Sequence, residues 1–143
     1  MPQRKVLFLC TGNSCRSQMA EGWLRHYAGE RAEVSSAGTK PAGLNRTAVS
    51  VMHEAGVDIS GQRSKLLDEL INQDFVFVIT ICDAVREACP VFPGALYQLH
   101  WSFEDPATAA GTEEERLAVF RSVRDEIRAQ LQQFAEREGF LPR

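Results

Sequence analysis

The sequence predicts one α/β domain over residues 1–143, built as an open, doubly wound and mainly parallel four-stranded sheet flanked by helices. Three observations support this prediction. The chain has the length of a single domain. Its content of 44% hydrophobic and 24% charged residues is typical of globular proteins. Strand-like and helix-like segments follow each other in the order strand, helix, strand, helix, strand, strand, helix, which is typical of parallel strands joined by crossover helices.

The first half of the chain contains two predicted strands with a helix between them. The largely apolar run 5–9 is typical of a strand buried on both faces of a parallel sheet. Residues 18–27 are predicted to be helical because large apolar side chains recur there at i, i+4 and i+8, and Gly29 follows as a C-cap. Residues 32–37 form the second predicted strand, and the Gly- and Pro-containing segment 38–43 is a loop.

The middle of the chain contains a helix, a short helical segment and two further strands. Residues 45–55 are predicted to be helical because four apolar side chains share one face and Gly56 follows the last of them. A second, short helix is expected over 66–71. The run 75–81 is the strongest strand signal in the chain, since it is aromatic and β-branched throughout, and 94–99 is a weaker strand.

The last element is a long helix with clear signals at both ends. Thr112 is the predicted N-cap, and Glu115 three residues later completes a capping box. Gly139 ends the helix. Side chains that step in threes and fours form its buried face: Leu117, Phe120, Arg124, Ile127, Leu131 and Phe134.

Charge and hydropathy exclude several classes of function. The net charge of -3 argues against nucleic acid and against an anionic membrane surface as partners. No apolar run approaches the roughly 18 residues that a membrane span needs. The apolar stretch 6–10 is too short for the core of a signal peptide, so we expect a cytoplasmic protein.

The four cysteines form two pairs, Cys10 with Cys15 and Cys82 with Cys89. Structural disulfides and a zinc site are the two alternatives to a catalytic role. A chain of this size in a reducing compartment does not need disulfides. Six residues separate Cys82 from Cys89, whereas structural zinc sites usually leave two to four. We therefore favour catalytic or redox chemistry, and we expect no metal and no cofactor.

The loop after the first strand contains the strongest functional signal. Cys10 and Arg16 form a Cys-x5-Arg pattern that starts where a buried strand ends and finishes where a helix begins. Open α/β sheets bind ligands at this place, and the helix dipole adds positive potential, so a tetrahedral oxyanion fits there. An ordinary strand-to-helix turn with a buried cysteine is the alternative. The expected oxyanion-binding residues are Thr11, Gly12, Asn13, Ser14, Cys15, Arg16 and Ser17.

Each residue type in this loop suits anion chemistry. We expect Gly12 to allow close backbone approach and Asn13 to adopt the left-handed conformation. Arg16 presents a planar fork to two oxyanion oxygens. We expect the same positive field to lower the pKa of Cys10 and Ser17 to donate a hydrogen bond to the thiolate.

These residues resemble the low-molecular-weight protein tyrosine phosphatase superfamily, in which Cys-x5-Arg-Ser follows the first strand. The second half of that signature is a downstream Asp-Pro, which Asp105-Pro106 supplies. The resemblance implies that Asp105 is the general acid that protonates the departing oxygen. Taken alone, an Asp-Pro pair is more often a simple turn.

Within this superfamily the chain resembles the thioredoxin-coupled arsenate reductases over nearly its whole length. Phosphatases of this fold usually carry aromatic residues after Asp-Pro, whereas residues 107–109 are Ala-Thr-Ala. The most specific segment is the two-cysteine run 82–90. The other similar segments are 10–22, 100–106, 111–115 and 123–127.

The resemblance implies a three-cysteine relay. Cys10 attacks arsenate while Asp105 donates a proton, Cys82 attacks the Cys10 sulfur and arsenite leaves, and Cys89 then forms a disulfide with Cys82 that thioredoxin reduces. Phosphate and sulfate are the expected competing anions. In one helix, residues 82 and 89 would be roughly 10 Å apart, beyond the about 7 Å that a disulfide spans, so the segment must unwind during turnover.

Two other functions stay open from the sequence. A phosphotyrosine or small-phosphoester phosphatase needs only the loop and the acid. A non-catalytic oxyanion sensor or thiol-redox partner would keep the loop without turnover. The resemblance also raises the question of potassium, which some of these reductases hold beside the loop near residues 60–65. Arg63 and Lys65 occupy that segment here, so we expect no alkali ion and a basic side chain in its place.

Overall fold

The computed structural model describes residues 3–81 and 92–141. Within these ranges the strands form one parallel four-stranded sheet in the order β2-β1-β3-β4. The strands are β1 (Arg4–Cys10), β2 (Ala32–Gly38), β3 (Phe75–Ile81) and β4 (Ala95–Trp101). This confirms the predicted fold class, with every described strand pair parallel.

Three helices and three short 3₁₀ turns accompany the sheet in the described part of the chain. The helices are α1 (Arg16–Ala28), α2 (Arg46–Glu54) and α3 (Glu113–Arg137), and the turns are Gly29–Arg31, Leu67–Glu69 and Pro106–Thr108. The short helix predicted over 66–71 is only the turn at Leu67–Glu69. Helix α1 starts two residues earlier than predicted, so the helix begins inside the Cys-x5-Arg motif.

Local signals in the sequence account for the helix ends. The Asn45 side chain accepts hydrogen bonds from the backbone N–H groups of Thr47 and Ala48 and so caps α2. The capping box predicted at Thr112 and Glu115 is present at the start of α3. Gly29 after α1 and Gly139 after α3 both have positive φ, in agreement with their predicted role as helix stops.

The strands β1 and β3 are buried on both faces, as their apolar runs predict, whereas the edge strand β4 is largely exposed. Val6 and Phe8 of β1 belong to the larger core cluster, to which all three helices contribute. Leu7 and Leu9 belong to a smaller cluster on the other side, which includes Leu67. Burial of each large side chain stabilises the fold by about 1.5–3 kcal/mol. Strand β1 is therefore held from both sides, and its last residue, Cys10, has a rigid base.

No helix in the described ranges combines the length and the apolar composition that a membrane span requires.

Candidate active site

The loop that follows β1 is held from outside by its carbonyl oxygens. The oxygen of Cys10 accepts from the Thr39 amide at 3.3 Å, and that of Asn13 accepts from Gln18 Nε2 at 3.0 Å. The other four acceptors, Thr11, Gly12, Ser14 and Cys15, are paired at 2.9–3.1 Å with the backbone N–H groups of Lys40, Ala42, Asn45 and Met19. In a trans peptide the N–H points away from the C=O, so the amides of this loop are directed toward its inner side.

Gly38 at the end of β2 makes this arrangement possible. A Cβ atom at Gly38 would lie 2.4 Å from the Thr11 carbonyl oxygen and 3.1 Å from the Asn13 nitrogen, which is too close for any side chain. A Cβ at Gly12, by contrast, would meet its nearest atom, Ser14 Oγ, at 3.6 Å. The motif suggested a close backbone approach at Gly12. Within the protein, the close contact between backbone segments occurs instead at Gly38, which lies against the loop.

The Cys10 sulfur is surrounded by hydrogen-bonding groups. Ser17 Oγ lies 2.9 Å from Sγ, and the Asn13 backbone N–H donates to Sγ at 3.1 Å. Asn13 adopts the predicted left-handed conformation, with φ of 47°, and its side chain donates to Ser17 Oγ at 2.8 Å. The loop thus places one amide and one hydroxyl on the atom expected to attack.

Burial nevertheless raises the pKa of the Cys10 thiol above its ordinary value. Hydrogen bonds from Ser17 and Asn13 and the charge of Arg16 act in the opposite direction. Cys10 is only 3% exposed, and loss of solvation for the thiolate outweighs these contacts. The expectation of a lowered pKa is therefore wrong for this geometry.

Arg16 and Asp105 meet at the mouth of the loop. Arg16 Nη2 lies 3.7 Å from Asp105 Oδ2, and Arg16 Nη1 donates to the Phe103 carbonyl oxygen at 3.3 Å. Asp105 also caps the turn Pro106–Thr108, since its Oδ1 accepts from the Ala107 N–H at 3.0 Å. The Asp-Pro pair is thus both a turn and a part of the site, and its carboxylate is about one-third exposed.

These groups line a single cleft of about 660 Å³. Of the predicted site residues, the cleft brings together Cys10, Arg16, Asp105 and residues 11–15, while Ser17 lies behind Cys10. Sequence reasoning missed four further lining residues, Lys40, Ala42, Glu104 and Thr108. They come from the loop after β2 and from the segment around Asp105, and no spacing rule connects them with the motif.

A chain of side-chain amides supports the loop from behind. Gln18 Nε2 donates to Asn13 Oδ1 at 3.2 Å, and Gln62 Nε2 donates to Gln18 Oε1 at 2.9 Å. The backbone N–H of Lys65 also donates to Asn13 Oδ1, at 3.0 Å. Asn13 is completely buried, so these partners satisfy a side chain that water does not reach.

A buried carboxylate lies deeper in this supporting layer. Ser36 Oγ donates to Glu21 Oε1 at 2.6 Å, and Arg25 Nη2 donates to Glu21 Oε2 at 2.6 Å. Burial lowers the pKa of Lys65, while the negative charge of Glu21 opposes that shift. The basic side chain of Lys65 therefore interacts electrostatically with the Glu21 carboxylate. That the protein binds no alkali ion here stays a prediction.

Cys15 also lines the cleft but differs from Cys10. Burial raises its pKa to about 12, and its only described side-chain hydrogen bond comes from Ser14 Oγ at 3.7 Å.

Cys82 and Cys89, together with the predicted unwinding of 82–89, lie outside the described residues. Within residues 3–81 and 92–141, no three His, Cys, Asp or Glu side chains come close enough to hold a metal ion.

Comparison with known proteins identifies the family. The model of the low molecular weight phosphotyrosine protein phosphatase family matches residues 5–138. The arsenate reductase of Bacillus subtilis is 49% identical over 136 residues, which cover 95% of this chain and 98% of that protein.

Solved structures agree with this result. An arsenate reductase in its phosphate binding state has a TM-score of 0.80 and 32% identity, covering 94% of this chain and 98% of that one. The thioredoxin-dependent arsenate reductase of Corynebacterium glutamicum has a TM-score of 0.61 and 32% identity, covering 92% of this chain and 63% of that one. The chain therefore belongs to the low molecular weight phosphotyrosine protein phosphatase family and, within it, to the arsenate reductases.

Proposed function

We propose that this protein reduces arsenate to arsenite through a relay of Cys10, Cys82 and Cys89, and that thioredoxin reduces the final disulfide. The observation that carries the proposal is the cleft itself, in which the Cys10 loop, Arg16 and Asp105 surround one space. Membership of the arsenate reductases supports the choice of substrate. Phosphate and sulfate, which share the tetrahedral shape of arsenate, are the competing anions.

The first step joins arsenate to the enzyme. The inward-directed amides and the Arg16 guanidinium bind three oxygens of the oxyanion, and Cys10 Sγ attacks arsenic. Asp105 delivers a proton to the departing oxygen, which leaves as water. The proton that Cys10 loses balances this delivery over the whole step. Because burial favours the neutral thiol, the contacts from Ser17 and Asn13 act by stabilising the thiolate as it forms.

The next steps move two electrons onto arsenic. A Cys82 thiolate attacks Cys10 Sγ, the sulfur–arsenic bond breaks, and its electron pair leaves with arsenite. Cys89 then attacks Cys82, which frees the Cys10 thiolate and leaves a Cys82–Cys89 disulfide. Thioredoxin returns both thiols to the reduced state. This part rests on the two-cysteine segment of the sequence and on a relative that is named thioredoxin-dependent.

The relay requires a compartment that keeps thiols reduced, and we therefore assign the protein to the cytoplasm. The need for reduced thiols also favours thioredoxin as the partner, because a thioredoxin system supplies reducing dithiols in the cytoplasm. Nucleic acid and membrane are not part of the proposal, in keeping with the net charge of -3.

Phosphatase activity is the second candidate, because hydrolysis of a phosphoester needs only Cys10, Arg16 and Asp105. The described lining favours a free oxyanion over an aryl phosphate. None of the described lining residues is aromatic, and Thr108 lies where the family's phosphatases usually grip a ring. We expect hydrolysis as a slow side activity.

A parallel assay separates these functions. Arsenate-dependent NADPH oxidation with thioredoxin and its reductase measures reduction, and p-nitrophenyl phosphate hydrolysis measures the phosphatase reaction. Cys82→Ser is expected to abolish the first activity and to retain the second, while Cys10→Ser abolishes both. Retention of arsenate reduction by Cys82→Ser would refute the relay. Activity of the wild-type protein in neither assay would leave a non-catalytic anion sensor.

A further inference from the structure

Lys40 occupies a position at the cleft that the proposed chemistry does not use. Its backbone N–H donates to the Thr11 carbonyl oxygen at 2.9 Å, so the residue is fixed to the catalytic loop itself. The residue lines the cleft and is exposed. A positive charge at this place attracts an anion that enters the cleft.

The charges around the cleft nearly cancel. In the described lining the positive side chains are Arg16 and Lys40, and the negative ones are Glu104 and Asp105. Without Lys40 the described lining side chains would carry one net negative charge while Asp105 is ionised, and no net charge while Asp105 carries the proton that it donates. The charge of Lys40 therefore adds to the attraction that the loop amides and Arg16 exert on a doubly charged oxyanion.

The two positive charges are not equivalent. Arg16 is only 4% exposed, and part of its field is offset by Asp105 at 3.7 Å. Within the ranges that the structure covers, the Lys40 ammonium pairs with no carboxylate. Its charge is thus available at the entrance, where a hydrated anion arrives before it reaches the loop.

We propose that Lys40 is the outer anion-binding residue of the cleft, which attracts small, doubly charged free oxyanions and favours them over singly charged or neutral ligands. The inference rests on the proposed function because it assigns the selectivity of the same site. Arg16 and the loop amides hold the anion at Cys10, and Lys40 raises its concentration at the entrance.

Alkylation of Cys10 tests this without any arsenate turnover. Iodoacetate carries one negative charge and iodoacetamide carries none, so the ratio of their rates at Cys10 reports the local potential. The rates are measured by mass spectrometry of the peptide that contains Cys10. We expect Lys40→Gln to lower the ratio about twofold and Lys40→Glu about fivefold, which are the effects that one and two unit charges have on a monoanion at roughly 8 Å in a water-like medium.

Arg137→Gln is the matched control. It removes the same charge at the end of α3. This end of the helix lies near Arg4 at the start of β1, and the length of β1 separates Arg4 from Cys10 by about 20 Å. The control should leave the ratio unchanged, and 0.5 M salt should remove the difference between wild type and Lys40→Gln. An unchanged ratio in both Lys40 variants would overturn the proposal, even if arsenate reduction is confirmed.

Inorganic phosphate provides a second measurement on the same variants. The concentration that protects Cys10 from iodoacetamide should rise about fivefold in Lys40→Gln, because a dianion senses the lost charge twice as strongly as a monoanion. For arsenate, KM should rise by a similar factor while kcat stays within twofold. A lower kcat with unchanged phosphate protection would show a structural role and contradict the inference.

Discussion

Gly38→Ala is the sharpest test of how the catalytic loop is held. The new Cβ would lie 2.4 Å from the Thr11 carbonyl oxygen, 3.0 Å from Asn13 Cβ and 3.1 Å from the Asn13 nitrogen. Ordinary contacts of this kind begin near 3.4 Å. Because two of the three atoms belong to the backbone, no side-chain rotation relieves the overlap, and the loop and the end of β2 must move apart by about 1 Å.

This displacement has a cost in stability and in rate. Overpacking of this type destabilises a protein by about 1–3 kcal/mol. For a domain of this size, each kcal/mol lowers Tm by about 2–4 °C. A 1 Å misplacement of the loop that carries Cys10 should lower kcat/KM by about 100-fold. The loss in rate thus exceeds what the loss in stability alone would produce at 25 °C.

The assay compares Tm, by calorimetry, with kcat/KM for p-nitrophenyl phosphate. Gly61→Ala is the matched control, because a Cβ there would have no neighbour within 4 Å. The control should leave kcat/KM unchanged and alter stability by no more than about 0.5 kcal/mol. A Gly38→Ala protein with wild-type kcat/KM would refute the close approach between β2 and the loop.

Three further predictions follow from single contacts. Ser17→Ala should raise the pKa of Cys10 further, since Ser17 supplies the largest opposing contact, and the pH midpoint of alkylation by iodoacetamide should move upward. An unmoved midpoint would contradict this. Cys15 has a pKa raised from 9.0 to about 12, so its contribution to stability is complete below pH 9 and is lost as pH rises toward 12. Between pH 9 and 12 the unfolding free energy of wild type should therefore fall about 1.4 kcal/mol per pH unit more steeply than that of Cys15→Ala. Parallel plots of unfolding free energy against pH would disprove the raised pKa. Thr112→Ala should lower the free energy of unfolding in urea by about 1 kcal/mol, because Thr112 Oγ1 accepts a hydrogen bond from the Glu115 N–H at 3.1 Å. An unchanged urea midpoint would exclude this cap.

The elements that the sequence predicted well depend on local chemistry. The capping box of α3 is formed by two residues that are three apart in the chain. The left-handed conformation of Asn13 depends on this residue type alone, since asparagine tolerates positive φ. The strand 75–81 was predicted to the residue because an aromatic and β-branched run has no competing pattern. Such signals survive folding because neighbours in the chain stay neighbours in the structure.

The features that were missed depend on contacts between distant segments. Lys40 and Glu104 lie about 30 and 90 residues from the motif, and nothing in their own neighbourhood marks them. The pKa of Cys10 was predicted with the wrong sign because the motif shows which donors are present but not how deeply the sulfur is buried. The sequence places Gly38 in a loop, because only the strand register shows that the Thr11 carbonyl faces it.

The state of Cys15 bears on which thiol can supply the electrons. It lines the same cleft as Cys10, so proximity alone would make it a candidate to attack the Cys10 sulfur. Burial raises the pKa of Cys15 to about 12, so the neutral thiol predominates at pH 7. Attack on sulfur requires a thiolate. Ser17 and Asn13 stabilise a thiolate at Cys10, whereas the described side-chain contact of Cys15 is the long one from Ser14 Oγ at 3.7 Å, so burial suppresses Cys15 as the attacking group. We therefore propose that the cleft binds the oxyanion and forms the first bond, while reduction depends on a thiol from another segment, which we assign to Cys82.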